Sequence, residues 1–134
     1  MRSNAMPYYV AKTVTGPFDR ALAEVVEHLK NEGFGVLTDI DVQATLKNKI
    51  GANISQYRIL GACNPGFAHE ALKLEDKLGV LLPCNVIVRE TSDGKVEVAS
   101  VDPVVAMERT GNAALATTAE EVRRRLSNAI NAVT

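Results

Sequence analysis

Tryptophan is absent from this chain of 134 residues, and Phe and Tyr contribute only three each. Its core must therefore be built from Val, Leu, Ile and Ala instead of large rings. An excess of either charge is missing too. Fifteen Lys and Arg stand against 16 Asp and Glu, for a net charge of −1. That balance supplies no field to concentrate a polyanion, so nucleic acid is an unfavoured partner. No apolar run nears the roughly 20 residues that a membrane-spanning helix needs, and no membrane partner is expected. The N-terminus lacks the basic-then-apolar order of a signal peptide. With two cysteines in all and no secretory cue, reduced thiols in a cytoplasmic setting are expected, not a structural disulfide. No complete catalytic or binding signature appears, and no glycine-rich strand-to-helix turn marks a dinucleotide site.

What is present fits one domain with its own core. No internal repeat, low-complexity tract or linker divides the chain. Ser3-Asn4-Ala5 ahead of Met6 reads as the scar of a cleaved expression tag. Residues 1–5 are set aside on that ground, and the domain is taken as 6–134.

Tyr8 to Val14 is rich in aromatic and β-branched residues and predicts a strand. Pro17 suits the first turn of a helix, where its missing N–H costs nothing. Phe18, Ala21, Leu22, Val25, Val26 and Leu29 then recur at helical spacing, and Gly33 is expected to cap the helix in the left-handed conformation. Gly35 to Asp41 predicts a strand. Asp41 can cap a short helix carrying Val42, Leu46 and Ile50, which would end at Gly51. Tyr57 to Cys63 predicts a strand, and Asn64-Pro65 opens a helix with Ala68, Ala71 and Leu72 inward. After Pro83, Asn85 to Glu90 predicts a strand. Ser92-Asp93-Gly94 is a hairpin turn. Its partner strand runs from Lys95 to Asp102, with Val96, Val98 and Val101 set against Glu97. Asp102-Pro103 opens a short helix. Thr118-Ala119-Glu120-Glu121 has the pattern of a capping box, and the last helix carries Ala119, Val122, Leu126, Ala129, Ile130 and Val133 on one face. The whole predicts an α+β domain: a mostly antiparallel sheet, two long helices on one face and short helical insertions. Such a sheet has one bare face, and a second copy of the chain can cover it, so a homodimer is expected.

The two cysteines sit in similar settings, Gly61-Ala62-Cys63-Asn64-Pro65 and Leu82-Pro83-Cys84-Asn85-Val86. Cys63 precedes a helix N-terminus, which favours a thiolate. The plain alternative is a small buried residue at a strand end. If the strands are neighbours, the thiols could meet, bind a soft metal with His69 as third ligand, or form a redox disulfide. Two thiols alone fall short of a closed zinc site. Asn64 and Asn85 are accounted for by local capping and turns, and Asp102 by capping. Tyr57 and Arg58 could line a groove, where Arg58 would hold a carboxylate or phosphate. Asp39 and Asp41 share a strand face. His28 and the run Arg123-Arg124-Arg125 read as solvated, with Glu120 and Glu121 in reach of Arg124 and Arg125.

Gly33 to Val42, Tyr57 to Pro65, Leu82 to Val86 and Val101-Asp102-Pro103 together resemble the domain of unknown function 302 family, over nearly the whole chain from Tyr8 to Ala132. The resemblance implies a single α+β domain, similar in topology to the TATA-binding-protein-like class, as a homodimer. It implies no activity, substrate or cofactor, and likeness to that fold class does not import DNA binding.

The functional expectation is a small cytoplasmic module that binds or senses a small ligand or soft metal near Cys63, Asn64, Cys84, Asn85, Tyr57 and Arg58, and not an enzyme. A thiol-dependent redox protein using Cys63 and Cys84 is the runner-up. A structural interaction domain, with the cysteines as core filler, is the third class.

Overall fold

Side chains alternate between the two faces along each strand, and one of those faces is buried. The computed structural model describes residues 7–134; the tag reading of residues 1–5 lies outside them. Five strands, β1 (Tyr9–Val14), β2 (Gly35–Asp41), β3 (Tyr57–Cys63), β4 (Cys84–Glu90) and β5 (Val96–Val101), form one sheet in the order β1-β5-β4-β3-β2. Every neighbouring pair is antiparallel. Successive side chains on a strand point to opposite faces. Leu60 and Ala62 of β3, Cys84, Val86 and Val88 of β4 and Val96 and Val98 of β5 are all buried on the same face.

Two helices cover that face. Helix α1 (Phe18–Asn31) lies on β4 and β5, and α5 (Ala116–Ala132) on β1 and β5, in contact with each other. Phe18, Ala21, Val25 and Leu29 of α1 meet Val122, Leu126, Ala129 and Ile130 of α5 in the main core. The α1 stripe is narrower than its sequence pattern, since Val26 is exposed. Pro17 stands just ahead of α1, not inside it. Gly33 has φ +88°, and the Phe34 N–H bonds to the Leu29 carbonyl while the Gly33 N–H bonds to that of Lys30. This paired closure is the left-handed stop expected there.

The short helices hold the ends. Helix α2 (Val42–Ile50) starts on the Asp41 side chain and stops at Gly51. Helix α3 (Pro65–Leu74) starts on Asn64, and α4 (Pro103–Glu108) on Asp102. A 3-10 turn at Leu78–Leu81 leads toward β4. A smaller core of Ala71, Leu78, Met107, Leu115 and Ala119 joins these pieces to the start of α5.

Three local expectations are corrected. Leu72 is exposed, and Phe67 packs against the core from α3 instead. Val101 shares the face of Glu97, not of Val96 and Val98, because it pairs with Tyr9 as Glu97 pairs with Thr13. The Thr118 capping box does not form. Asn112 caps a 3-10 turn at Ala113–Leu115 that runs straight into α5. Thr118 is then already inside the helix, where there is no exposed end to cap.

Candidate functional site

The cysteine-bearing segments do meet. Ala62 is opposite Cys84 in the β3–β4 ladder. Cys84 therefore shares the helix-covered side with Ala62, and alternation sends Cys63 toward the other side. Both cysteines border one cavity of about 30 Å³, walled by Phe34, Phe67 and Met107. That is room for about one or two waters. Both thiols are free, Cys84 buried and Cys63 half-buried. Burial pushes the Cys84 thiol up to about 11, with the nearby Cys63 adding to the rise. A thiolate at Cys84 is correspondingly scarce near neutral pH.

The third metal ligand is not there. His69 is exposed on α3, while Phe67, Ala68 and Ala71 of the same helix border the cavity. Helical spacing turns those residues inward and His69 out. Among the described residues, no group of three or more His, Cys, Asp or Glu side chains is placed to hold a metal ion. Asn64 is spent locally: its side chain accepts the Phe67 N–H at 3.1 Å.

Arg58 is also engaged. Its guanidinium makes a two-pronged pair with Asp39, at 2.8 and 2.7 Å, and approaches Asp41 at 3.9 Å. The hydrogen bond from Arg58 holds the Asp39 carboxyl below its ordinary range. Arg58 pairs with Val88 and so faces the helix side, opposite its neighbour Tyr57. The expected groove therefore receives Tyr57 without Arg58, and the cation meant for a ligand is neutralised by β2.

The face that no described helix covers holds a larger feature than the cysteine cavity. A groove of about 660 Å³ runs along that face, lined by Tyr9, Tyr57, Asn85, Ile87, Arg89 and Ala99 among others. Leu82, Pro83 and the exposed turn residues Val80 and Leu81 overhang one end. Arg89 and Glu97 sit side by side at the other end, paired at 2.8 Å. Under the overhang the backbone is tight. A Cβ on Gly61 would fall 2.2 Å from Thr38 Oγ1 and 2.7 Å from Pro83 Cγ, so only glycine fits. Of the sequence candidates, Tyr57 and Asn85 line this groove. Ile87, Arg89 and Glu97 were not singled out. The alternation of Asn85, Ile87 and Arg89 with Val86 and Val88 is the signal that could have found them.

A wider depression of about 870 Å³ follows α5, lined by Glu120, Glu121, Arg123 and Arg124. Its charges largely satisfy one another. Glu121 pairs with Arg124 and Arg125, which holds its carboxyl down at about 2. The arginine run is less solvated than its sequence implies. Arg123 reaches the buried carboxylate of Asp102 at 3.2 Å, and Arg125 stacks on Phe67, 5.1 Å from the ring centre. Asp102 is thus more than a cap.

Among the described residues, no helix is long and apolar enough to cross a membrane. A comparison with curated proteins finds no significant match. Among solved structures, the chain is similar to the crystal structure of an uncharacterized conserved protein DUF302 from Bacillus stearothermophilus. The two share 26% identity over 95% of this chain and 98% of that one, with a TM-score of 0.88. The family described as Domain of unknown function DUF302 matches residues 10–133. With its sheet, helices and cysteine-bearing segments matched along nearly their whole length, the chain belongs to the DUF302 family.

Proposed function

We propose that this protein is a binding module, and that it takes a small, mostly apolar molecule on the uncovered face of its sheet. The observation that carries this reading is the contrast between the cavity at the cysteines and the groove on the sheet, whereas the depression along α5 is lined by charges that pair with one another. The cavity between the cysteines, about 30 Å³, is too small for more than water. The groove, about 660 Å³, falls within the roughly 300–1,000 Å³ usual for small-molecule sites. Its apolar floor of Ile87, Ala99 and Val101 would hold a hydrocarbon body. Tyr57, Asn85 and the Arg89–Glu97 pair would orient a polar group at either end.

The cysteines act in this reading as packing residues next to the groove. The raised Cys84 pKa and the outward His69 weigh against a soft-metal or thiol-redox role for Cys63 and Cys84. Free thiols fit a reducing, cytoplasmic setting, and a homodimer fits the one-sided sheet.

Anilinonaphthalene sulfonate, an apolar ring system with one anionic group, is a suitable probe. Saturable binding with amide shifts confined to Tyr57, Asn85, Ile87, Arg89 and Ala99 supports the reading. Shifts clustered at Phe67 and Cys63, or scattered over the helices, would overturn it.

A further inference from the structure

We propose that the groove takes a molecule whose polar end carries both charges, an ammonium and a carboxylate on one short head, with an apolar group as its body: a free apolar or aromatic α-amino acid. This rests on the reading of the groove as the binding site and names the class of its ligand. Of the residues that line the groove, Arg89 and Glu97 are the two that carry charge, and they pair with one another. A single contact joins them, from Arg89 Nε to one Glu97 oxygen at 2.8 Å. A guanidinium has five N–H donors, and a carboxylate can accept at both oxygens. Among the described residues, no other side-chain hydrogen bond engages either group. Arg58 differs, since Asp39 accepts from both its Nε and its Nη2.

Charge decides the class. An anionic head alone would set a second carboxylate beside Glu97 on the one guanidinium. A cationic head alone would set a second cation beside Arg89 on the one carboxylate. Like charges so placed repel more strongly at a protein surface than in open water. The pair is partly withdrawn from solvent, with side chains 38% and 26% exposed. A head with both signs meets each ion with its opposite, which leaves no excess charge among the four. Complementarity of this kind selects between partners more than it adds affinity. The register places the remaining parts. Tyr57, Arg89 and Glu97 form one row across the sheet, so Tyr57 stands beside the head. Along β4, Arg89 lies four residues from Asn85 and the overhang, about 14 Å at about 3.4 Å per residue. Ile87 and Ala99 fill the interval as paired neighbours. That floor has room for an indole, a phenyl ring or a branched alkyl group.

The test uses three indoles of one shape at neutral pH. Tryptophan has both charges, indole-3-propionate the carboxylate alone and tryptamine the ammonium alone. The chain has no Trp, so all indole emission comes from the probe. All three of its tyrosines line the groove and should lose emission by energy transfer when an indole enters. The wild type should bind tryptophan at least tenfold more tightly than either relative. Arg89→Gln leaves Glu97 unpaired and should turn the preference to tryptamine. Glu97→Gln leaves Arg89 unpaired and should turn it to indole-3-propionate. Loss of folding cannot produce opposite preferences in two variants, and the wild-type order is a test without them. Equal binding of the three, no binding of tryptophan, or an order that neither variant changes would overturn the proposal. If the naphthalene probe shifts the groove amides while tryptophan stays unbound, the amino acid falls and the groove stands. If tryptophan binds with amide shifts clustered at Phe67 and Cys63, both fall.

Discussion

Cys84 should make this protein lose stability in alkali through a single identifiable proton. The residue is 7% exposed, and burial lifts the thiol from 9.0 to about 11. In the unfolded chain the same thiol ionises near its ordinary value. The folded state therefore keeps a proton that the unfolded state has released, and stability falls as pH rises across that window. Below pH 9 the contribution is whole; above about 11 both states are ionised and the slope ends. Two pH units at about 1.4 kcal/mol each make a loss of roughly 3 kcal/mol. Alkali acts on more than this one group, so the informative quantity is the difference from Cys84→Ala. Removing the sulfur costs about 1 kcal/mol of packing at neutral pH. The variant should start less stable and overtake the wild type near pH 10, ending about 2 kcal/mol ahead. Urea unfolding in the presence of reductant, at several pH values from neutral to 11, reads this directly. Parallel curves for the two proteins would mean that Cys84 ionises normally when folded. The burial argument would then fail and the thiol-redox reading would regain its footing.

Gly61→Ala should lower stability by about 2 kcal/mol, because the new methyl meets the Pro83 ring as well as the Thr38 side chain, and only the latter can swing away. An unshifted thermal midpoint would refute that packing. Asp102→Ala should cost about 2 kcal/mol, roughly half from the lost cap and half from stranding Arg123, whereas Asp102→Asn keeps an acceptor for the Val104 N–H and should cost about half as much; equal losses in urea unfolding would show that the cap contributes nothing.

The helix starts were legible because their signals are local. Asp41, Asn64 and Asp102 each accept a backbone N–H within three residues of themselves, so short-range sequence carries the whole interaction. The inward face of α5 was legible for the same reason: helical spacing alone groups Val122, Leu126 and Ile130. Thr118 shows the limit. Its pattern is a valid cap, but Asn112 had already started the helical path, and nothing in four residues reveals what precedes them. Phe67 and Leu72 are equally apolar on α3, and only the position of the cavity decides which turns inward.

The candidate site was less legible than the fold. Tyr57 and Asn85 were named and do line the groove, yet the cysteines beside them face a space too small for a ligand. Arg58 was expected to be available, and β2 brings Asp39 onto it from 19 residues away. His69 was within sequence reach of Cys63, but one turn of α3 separates reach from direction.

By itself, then, the order of residues determined the elements, the caps at Asp41, Asn64 and Asp102 and the inward face of α5, because those depend on neighbours a few positions apart. Strand order, the Arg58–Asp39 and Asp102–Arg123 pairs and the groove were decided only when the chain closed on itself. Those contacts join segments whose mutual placement no local pattern encodes. The bare face follows from both: alternation made it apolar, and the placement of α1 and α5 on the opposite side left it open.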